Sequence, residues 1–297
     1  MKVLIITGDK NFKPGNERYD LQKSAVEVLE VVYWGRGSLW PKIPSGKFDV
    51  VTTQDAFWRG LFGMRVAKRL GAKLNVQVHT DLSAYRGIKH ILPKIVLRHA
   101  DTIRVVSEKI KQQVEEIGVK AKITVLPVFV DISKFKNVVR KEHTGKNILW
   151  VGRYEGEKDP LTAIAVFEKV LQSVPDAKLI MIGQGGLQNL LKARAQSKPI
   201  EIHGWEDPAA YLAVADVVLC TSLHESWGAS IVEALAAGVP VVAPDVGIAK
   251  EVGAIVADRK DLAKELVKVL QSGVRANLQL SFLTKEEWAA KWKETLQ

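Results

Sequence analysis

Short runs of apolar, β-branched residues recur along the chain, separated by stretches whose apolar positions return at helical spacing. In the first half the runs are Val3–Thr7, Val28–Tyr33, Val50–Thr53, Leu74–His79, Thr102–Val106 and Ile123–Val128. Amphipathic stretches at Ala56–Leu70, Gly87–His99 and Ser107–Ile117 lie between them. In the second half the runs are Asn147–Val151, Lys178–Ile182, Ile200–His203, Val217–Thr221, Val239–Ala243 and Ala254–Val256. Helical patterns cover Pro160–Ser173, Leu187–Ala195, Pro208–Val214, Gly228–Ala237 and Lys260–Gln271. Two rounds of strand–helix alternation predict an α/β protein with two open parallel sheets, each covered by helices on both faces. In such sheets ligands bind outside the carboxyl ends of the strands.

The break between the halves falls in Asp131–Lys146, which is polar and charged and has no strand pattern. We therefore expect domains at 1–138 and 139–297. Ser107 should cap a helix, with Glu108 favourably placed near its positive end. Asp159-Pro160 reads as a cap followed by proline at the first helical position. Thr284-Lys285-Glu286-Glu287 has the form of a capping box that opens a final helix. The first half is short on parts, with helix content between its first two strands limited to about Asn16–Val26. The loop Gly8–Gly15 follows the first strand, in a ligand-facing position.

Composition narrows the class. The chain has 297 residues, 47% hydrophobic and 26% charged, which argues against wholesale disorder. No run reaches the ~18–20 apolar residues needed to span a bilayer, and the first residues read as a strand rather than a signal peptide. The single cysteine, Cys220, allows neither an intrachain disulfide nor a cysteine-based zinc site. The six histidines show no metal-ligand spacing. A cytoplasmic, metal-free protein is the expectation. The net charge of +10 is uneven: residues 1–140 hold 25 Lys+Arg against 13 Asp+Glu, whereas 141–297 hold 18 against 20. The basic half opens nucleic acid, an anionic membrane or a phosphorylated ligand as partners.

The most informative stretch runs from Thr221 to Ala243: a strand, a polar loop, a helix, a glycine stop and another strand. Glu225 lies in the loop and Glu233 within the helix. The first turn of that helix, at Trp227–Ser230, is built from small residues apart from the tryptophan. Small side chains leave backbone N–H groups open, and the positive helix end attracts phosphate. Glu233 is placed to accept hydrogen bonds from neutral hydroxyls such as those of a ribose.

Glu225-x7-Glu233 followed by Ala-Leu-Ala-Ala-Gly-Val-Pro-Val-Val-Ala resembles the signature of retaining glycosyltransferases of family 4, which have the GT-B double-Rossmann fold. Upstream, Gly152-Arg153 with Glu157-Lys158-Asp159-Pro160 resembles the family's Gly-Arg…Glu-Lys-Gly segment. Leu179–Gly185 resembles its strand ending in Gly-x-Gly, and Ile202-His203-Gly204-Trp205 with Tyr211…Asp216 the segment before the last motif. The first half matches through the strand ending at His79 and through Ser107-Glu108. The resemblance implies two Rossmann-like domains, with the C-terminal helix packing back toward the first. It implies transfer of a sugar from a nucleotide-diphosphate sugar to an acceptor hydroxyl with retention, without metal or cofactor.

Carried over residue by residue, Arg153 and Lys158 resemble the pair that binds the donor diphosphate, where cations neutralise charge on the leaving group. For both, an ion pair with Glu155 or Glu157 is the alternative. Glu233 resembles the ribose-binding glutamate and Glu225 the glutamate near the donor sugar. Ser226, Trp227, Gly228 and Ala229 offer backbone N–H groups, in a loop where the family often has Gly-Phe-Gly. Gly183 ends the Gly-x-Gly strand. Trp205 stacks on the base or serves packing. His79 resembles the first-domain histidine near the donor sugar, and Gly15 stands in for the family's Gly-rich first loop on the acceptor side.

The basic segment Tyr85–His99 puts Ile88, Ile91, Leu92, Ile95 and Val96 at helical spacing, with Lys89, Lys94 and Arg98 elsewhere. Arg59, Arg65, Lys68 and Arg69 add a second basic helix. These helices either pack a core face and expose a solvated one, or dock on anionic lipid or a phosphate-bearing acceptor. Other readings stay open: a same-fold sugar-nucleotide epimerase or phosphorylase, a non-catalytic nucleotide-sugar binder, or a nucleic-acid-binding protein. The last lacks any recognisable RNA- or DNA-binding pattern, and no nucleic acid is expected as partner. The partners expected are a nucleotide sugar, a glycan or lipid acceptor and the inner membrane surface.

Overall fold

The computed structural model describes residues 1–35 and 41–297. By packing, the chain divides into two compact units, Met1–Phe129 with Leu283–Gln297, and Val130–Phe282. The chain thus leaves the first unit at Phe129, before the expected limit at residue 138. The reason is local: the short helix Ser133–Lys136, which lies in the polar stretch read as a connector, packs against the helix Ala229–Ala236 of the second unit.

The first unit holds a parallel six-stranded sheet. Its strands are β1 (Lys2–Thr7), β2 (Val28–Tyr33), β3 (Val50–Thr53), β4 (Lys73–Val78), β5 (Thr102–Val105) and β6 (Lys122–Val125), in the order β2-β1-β3-β4-β5-β6. The second holds β7 (Lys146–Val151), β8 (Ala177–Ile182), β9 (Ile200–His203), β10 (Val217–Leu219), β11 (Val241–Ala243) and β12 (Ile255–Val256), also parallel, in the order β12-β11-β10-β7-β8-β9. Every strand anticipated from the apolar runs is present, within a residue or two at the ends except at Ile123–Val128, where β6 stops at Val125. Runs such as Leu4–Ile6 and Val217–Leu219 are buried on both faces, as strands flanked by helices on each side must be.

The caps form as the sequence demands. Ser107 Oγ accepts from Ile110 N, and Asn16 receives the first turn of the helix Glu17–Ser24. Thr284 and Glu287 make a reciprocal capping box at the start of the helix Lys285–Glu294. That helix belongs to the first unit. Trp288, Trp292 and Leu296 join Val3, Ile5, Leu29, Val50 and Leu126 in one buried cluster. Each large side chain so covered contributes on the order of 1.5–3 kcal/mol.

A buried polar stripe runs across the first sheet beneath this C-terminal segment. Thr52, Asn75, Gln77, Thr102 and Arg104 are all buried, and the register sets Asn75 beside Thr102 and Gln77 beside Arg104. Asn75 Nδ2 donates to Thr102 Oγ1 and to the Thr295 carbonyl, both at 2.9 Å, while its Oδ1 accepts from Thr52 Oγ1 at 2.7 Å. Arg104, 1% exposed, donates to the Leu126 carbonyl at 3.0 Å, the Pro127 carbonyl at 2.8 Å and Gln77 Oε1 at 2.7 Å. The Trp288 ring lies 5.1 Å from its guanidinium. Burial without a carboxylate partner lowers the Arg104 pKa to about 9.

Candidate donor site at the strand ends of the second unit

The second sheet places its chemistry at the carboxyl ends of β7, β8 and β10. Beyond β7, Tyr154 stacks on Trp150, with ring centroids 5.7 Å apart. Its phenol faces the carbonyls of Met181 and His203 at 2.9 and 2.8 Å, which staples β8 and β9 to the loop after β7. Burial raises its pKa. Beyond β8, Gly183 lies so close to the preceding loop that a β-carbon would sit 1.9 Å from the Gly152 carbonyl. This packing alone demands glycine there.

Lys158 and Glu225, read separately from the sequence, are brought together. Lys158 Nζ and Glu225 Oε1 form an ion pair that is mostly shielded from solvent, and Ser222 Oγ donates to the same carboxylate at 2.8 Å. Arg153 takes the other course: it is 66% exposed and pairs with Glu157 Oε1 at 2.6 Å, as the ion-pair alternative anticipated. Leu223 N donates to the Glu157 carbonyl at 2.9 Å and joins the two loops.

The helix Ala229–Ala236 starts at Gly228, whose φ of 103° favours glycine, and no side chain caps it. Ile231 N bonds back to the Gly228 carbonyl at 3.1 Å. The remaining first-turn N–H groups and the positive helix end suit an anion. The Trp227 side chain is buried edge-on against Phe282, so what this residue can offer a ligand is its backbone. Trp205, by contrast, is 58% exposed beyond β9.

Glu233 lies on the same helix, largely buried. Burial, opposed by Lys134 and reinforced by Asp207, pushes its pKa up to about 7. Lys134 and Asp207 form their own ion pair at 2.6 Å. The Lys134–Asp207 pair was not legible in advance, because Lys134 belongs to the stretch that reads as a linker.

His79 and Gly15 belong to the first unit. Gly15 has a φ of 86°, with open space where a β-carbon would be. His79 follows β4, and its Nε2 lies 3.3 Å from Gln77 Oε1. Arginine only donates, so the Gln77 atom facing Arg104 is the oxygen, and Gln77 Nε2 donates to Thr52 Oγ1 at 2.9 Å. His79 Nε2 therefore carries the proton, and Nδ1 is left as an acceptor. Burial, with Arg104 and Arg18 nearby, holds the imidazole pKa well below its usual value.

Residues 3–134 match the family model described as Glycosyltransferase Family 4, and residues 145–272 match that described as Glycosyl transferases group 1. This chain belongs to the family 4 and group 1 glycosyltransferases. Among similar family members is the alpha-monoglucosyldiacylglycerol synthase of Streptococcus pneumoniae, 26% identical over 231 residues, or 66% of this chain and 52% of that protein. Another is the UDP-Gal:alpha-D-GlcNAc-diphosphoundecaprenol alpha-1,3-galactosyltransferase of Escherichia coli, 28% identical over 240 residues, or 70% and 61%. The chain spans about half the length of several curated relatives it matches. The GT-B fold extends throughout: Anabaena HepE in complex with UDP and glucose superposes with a TM-score of 0.71 at 15% identity, covering 100% of this chain and 95% of that one. Sucrose-phosphate synthase of Thermosynechococcus elongatus gives 0.72 at 16%, covering 99% and 94%.

Proposed function

We propose that this glycosyltransferase moves a sugar from a nucleotide-diphosphate sugar to an acceptor hydroxyl with retention of anomeric configuration, and that the second unit holds the donor. The observation that carries the reading is that the loop beyond β10 carries both Glu225, paired with Lys158, and the uncapped Gly228 start of the helix on which Glu233 lies. In this reading the donor diphosphate meets the N–H groups of the Ser226–Ala229 turn, and Lys158 and Arg153 exchange their carboxylate partners for phosphate oxygens. Charge developing on the leaving nucleotide is then stabilised by groups already in place. Glu233 accepts from the ribose hydroxyls, Trp205 lies by the base, and Glu225 faces the sugar. The first unit serves the acceptor, with the Gly15 loop and with His79 as a neutral hydrogen-bonding group. The reading calls for no resident metal or organic cofactor.

A thermal-shift screen with UDP, GDP, ADP and their sugars tests it. A nucleotide at 100 times its Kd adds about 2.7 kcal/mol to stability. A shift with one nucleotide is expected, and no shift with any of them overturns the donor-site reading. The anomer of the product, read by NMR, tests retention.

We further propose a cytoplasmic enzyme that attaches peripherally to anionic membrane through its basic first unit. Ile88, Ile91 and Ile95 are 59%, 54% and 41% exposed on the helix Ile88–Arg98, beside Lys89 and Lys94, while Leu92, Val96 and Leu97 of the same helix face the core. Exposed apolar side chains flanked by lysines suit the boundary between headgroups and acyl chains. The pneumococcal relative is an alpha-monoglucosyldiacylglycerol synthase, and a lipid acceptor is compatible with that likeness. Equal recovery on neutral and anionic vesicles at low salt would refute the attachment.

A further inference from the structure

Asp159 and Arg259 form a pair that the donor-site reading leaves unused. Asp159 adopts φ 46° and ψ 56°, a left-handed conformation that a residue with a β-carbon holds only where its surroundings enforce it. Ser197 is the only other non-glycine among the described residues with positive φ. Part of the enforcement is local: the Asp159 carboxylate caps the helix Pro160–Leu171, accepting from Thr162 Oγ1 at 2.8 Å and Thr162 N at 3.4 Å.

The rest comes from a residue a hundred positions away. One nitrogen of the Arg259 guanidinium pairs with Asp159 Oδ2. The other donates to the Thr221 carbonyl at 2.7 Å and approaches that of Ser222 at 3.4 Å. Thr221 closes the circuit: its Oγ1 accepts from Trp150 Nε1 at 2.9 Å and faces the carbonyls of Lys158 and Asp159 at 3.0 and 2.9 Å. One planar fork therefore ties the loop that carries Lys158 to the loop that carries Glu225. A lysine ammonium at 259 would lack the fixed, divergent donors needed to do both.

The pairing has an electrostatic consequence. Asp159 follows Lys158 directly, so its negative charge belongs to the same loop as the cation read as a diphosphate ligand. Left unpaired, that charge opposes an incoming anion. We infer that Arg259 is a positioning residue of the donor site: it locks the Lys158 loop to the Glu225 loop through Asp159 and Thr221, and it neutralises Asp159 before an anionic ligand arrives. The locking stands on geometry alone; its effect on ligand rests on the donor-site reading.

The test uses Arg259→Met, Arg259→Lys and the double variant Asp159→Gly with Arg259→Met. Amide exchange is followed by mass spectrometry without ligand, and UDP, GDP and ADP are titrated by calorimetry. In Arg259→Met, amides of 156–162 and 221–226 should exchange about tenfold faster, and the nucleotide bound by the wild type should bind about tenfold more weakly. The double variant should recover binding to within about threefold, because glycine takes the left-handed backbone without enforcement and brings no charge. Arg259→Lys retains the charge without the fork, so it should loosen both loops with a smaller loss of binding. It carries the exchange measurement if the methionine variant does not fold. Unchanged exchange in the Arg259 variants overturns the lock, whatever the nucleotides do. A binding loss that Asp159→Gly does not recover overturns the neutralising role of Arg259. Binding of none of UDP, GDP and ADP by the wild type counts against the donor-site reading, while the exchange data still decide the lock.

Discussion

Glu233 offers a direct measure of how the second unit treats a buried carboxylate. Its pKa stands at about 7 because burial penalises the ionised form more than Lys134 relieves it. The folded state thus holds the proton more tightly than the unfolded chain. This contribution to stability is complete below the unfolded value near 4.5, and is lost as pH rises through about 7. Each pKa unit corresponds to 1.36 kcal/mol, so the ionised carboxylate costs at most about 3 kcal/mol. Partial hydration of the side chain brings the expected figure to about 1–2 kcal/mol. Glu233→Gln removes the titration and keeps the shape. Urea unfolding of both proteins from pH 4.5 to 8.5 measures the difference. The wild type should lose about 1–2 kcal/mol relative to Glu233→Gln across that span, with most of the loss below pH 7. Parallel stability profiles for the two proteins would show that the carboxylate titrates normally, and the burial argument would fall. Because a ribose hydroxyl bonded to the carboxylate favours its ionised form, nucleotide binding near pH 6 should also release a proton, which calorimetry in buffers of different ionisation enthalpy detects.

Two further predictions concern the frame around the sites. Arg104→Met leaves the Leu126 and Pro127 carbonyls without the Arg104 donor and Gln77 Oε1 with His79 alone, and should lower stability in urea by about 3–5 kcal/mol; a loss under 1 kcal/mol would contradict the network. Gly183→Ala forces a β-carbon against the Gly152 carbonyl and should cost more than about 3 kcal/mol, whereas Gly204→Ala, with open space around it, should cost little; similar melting temperatures for the two variants would refute the close approach.

Much of this architecture is written locally. A β-branched run bounded by turn residues makes a buried parallel strand wherever it lies, and Ser107, Asp159 and Thr284 cap their helices with atoms one to three residues away. The residues proposed for the donor site, Arg153, Lys158, Gly183, Glu225, Gly228 and Glu233, are legible for a different reason: they lie in short contiguous motifs, and it is the motifs' resemblance to the family that names them. Tertiary packing decided what local patterns leave open. The isoleucines at 88, 91 and 95 share helical spacing with Leu92 and Val96, yet the two sets part, because only one side of the helix meets the core. Asn75, Gln77, Thr102 and Arg104 alternate as a solvated strand face would, but they are buried because residues 283–297 return to the first unit and bring Trp288 and the Thr295 carbonyl to them. Arg259 sits in an ordinary-looking charged turn, and its role exists only because two loops far away in sequence converge on its guanidinium. Periodicity and capping act over a few residues and are therefore readable from them. Which polar groups find partners across a hundred residues or more depends on where the whole chain packs.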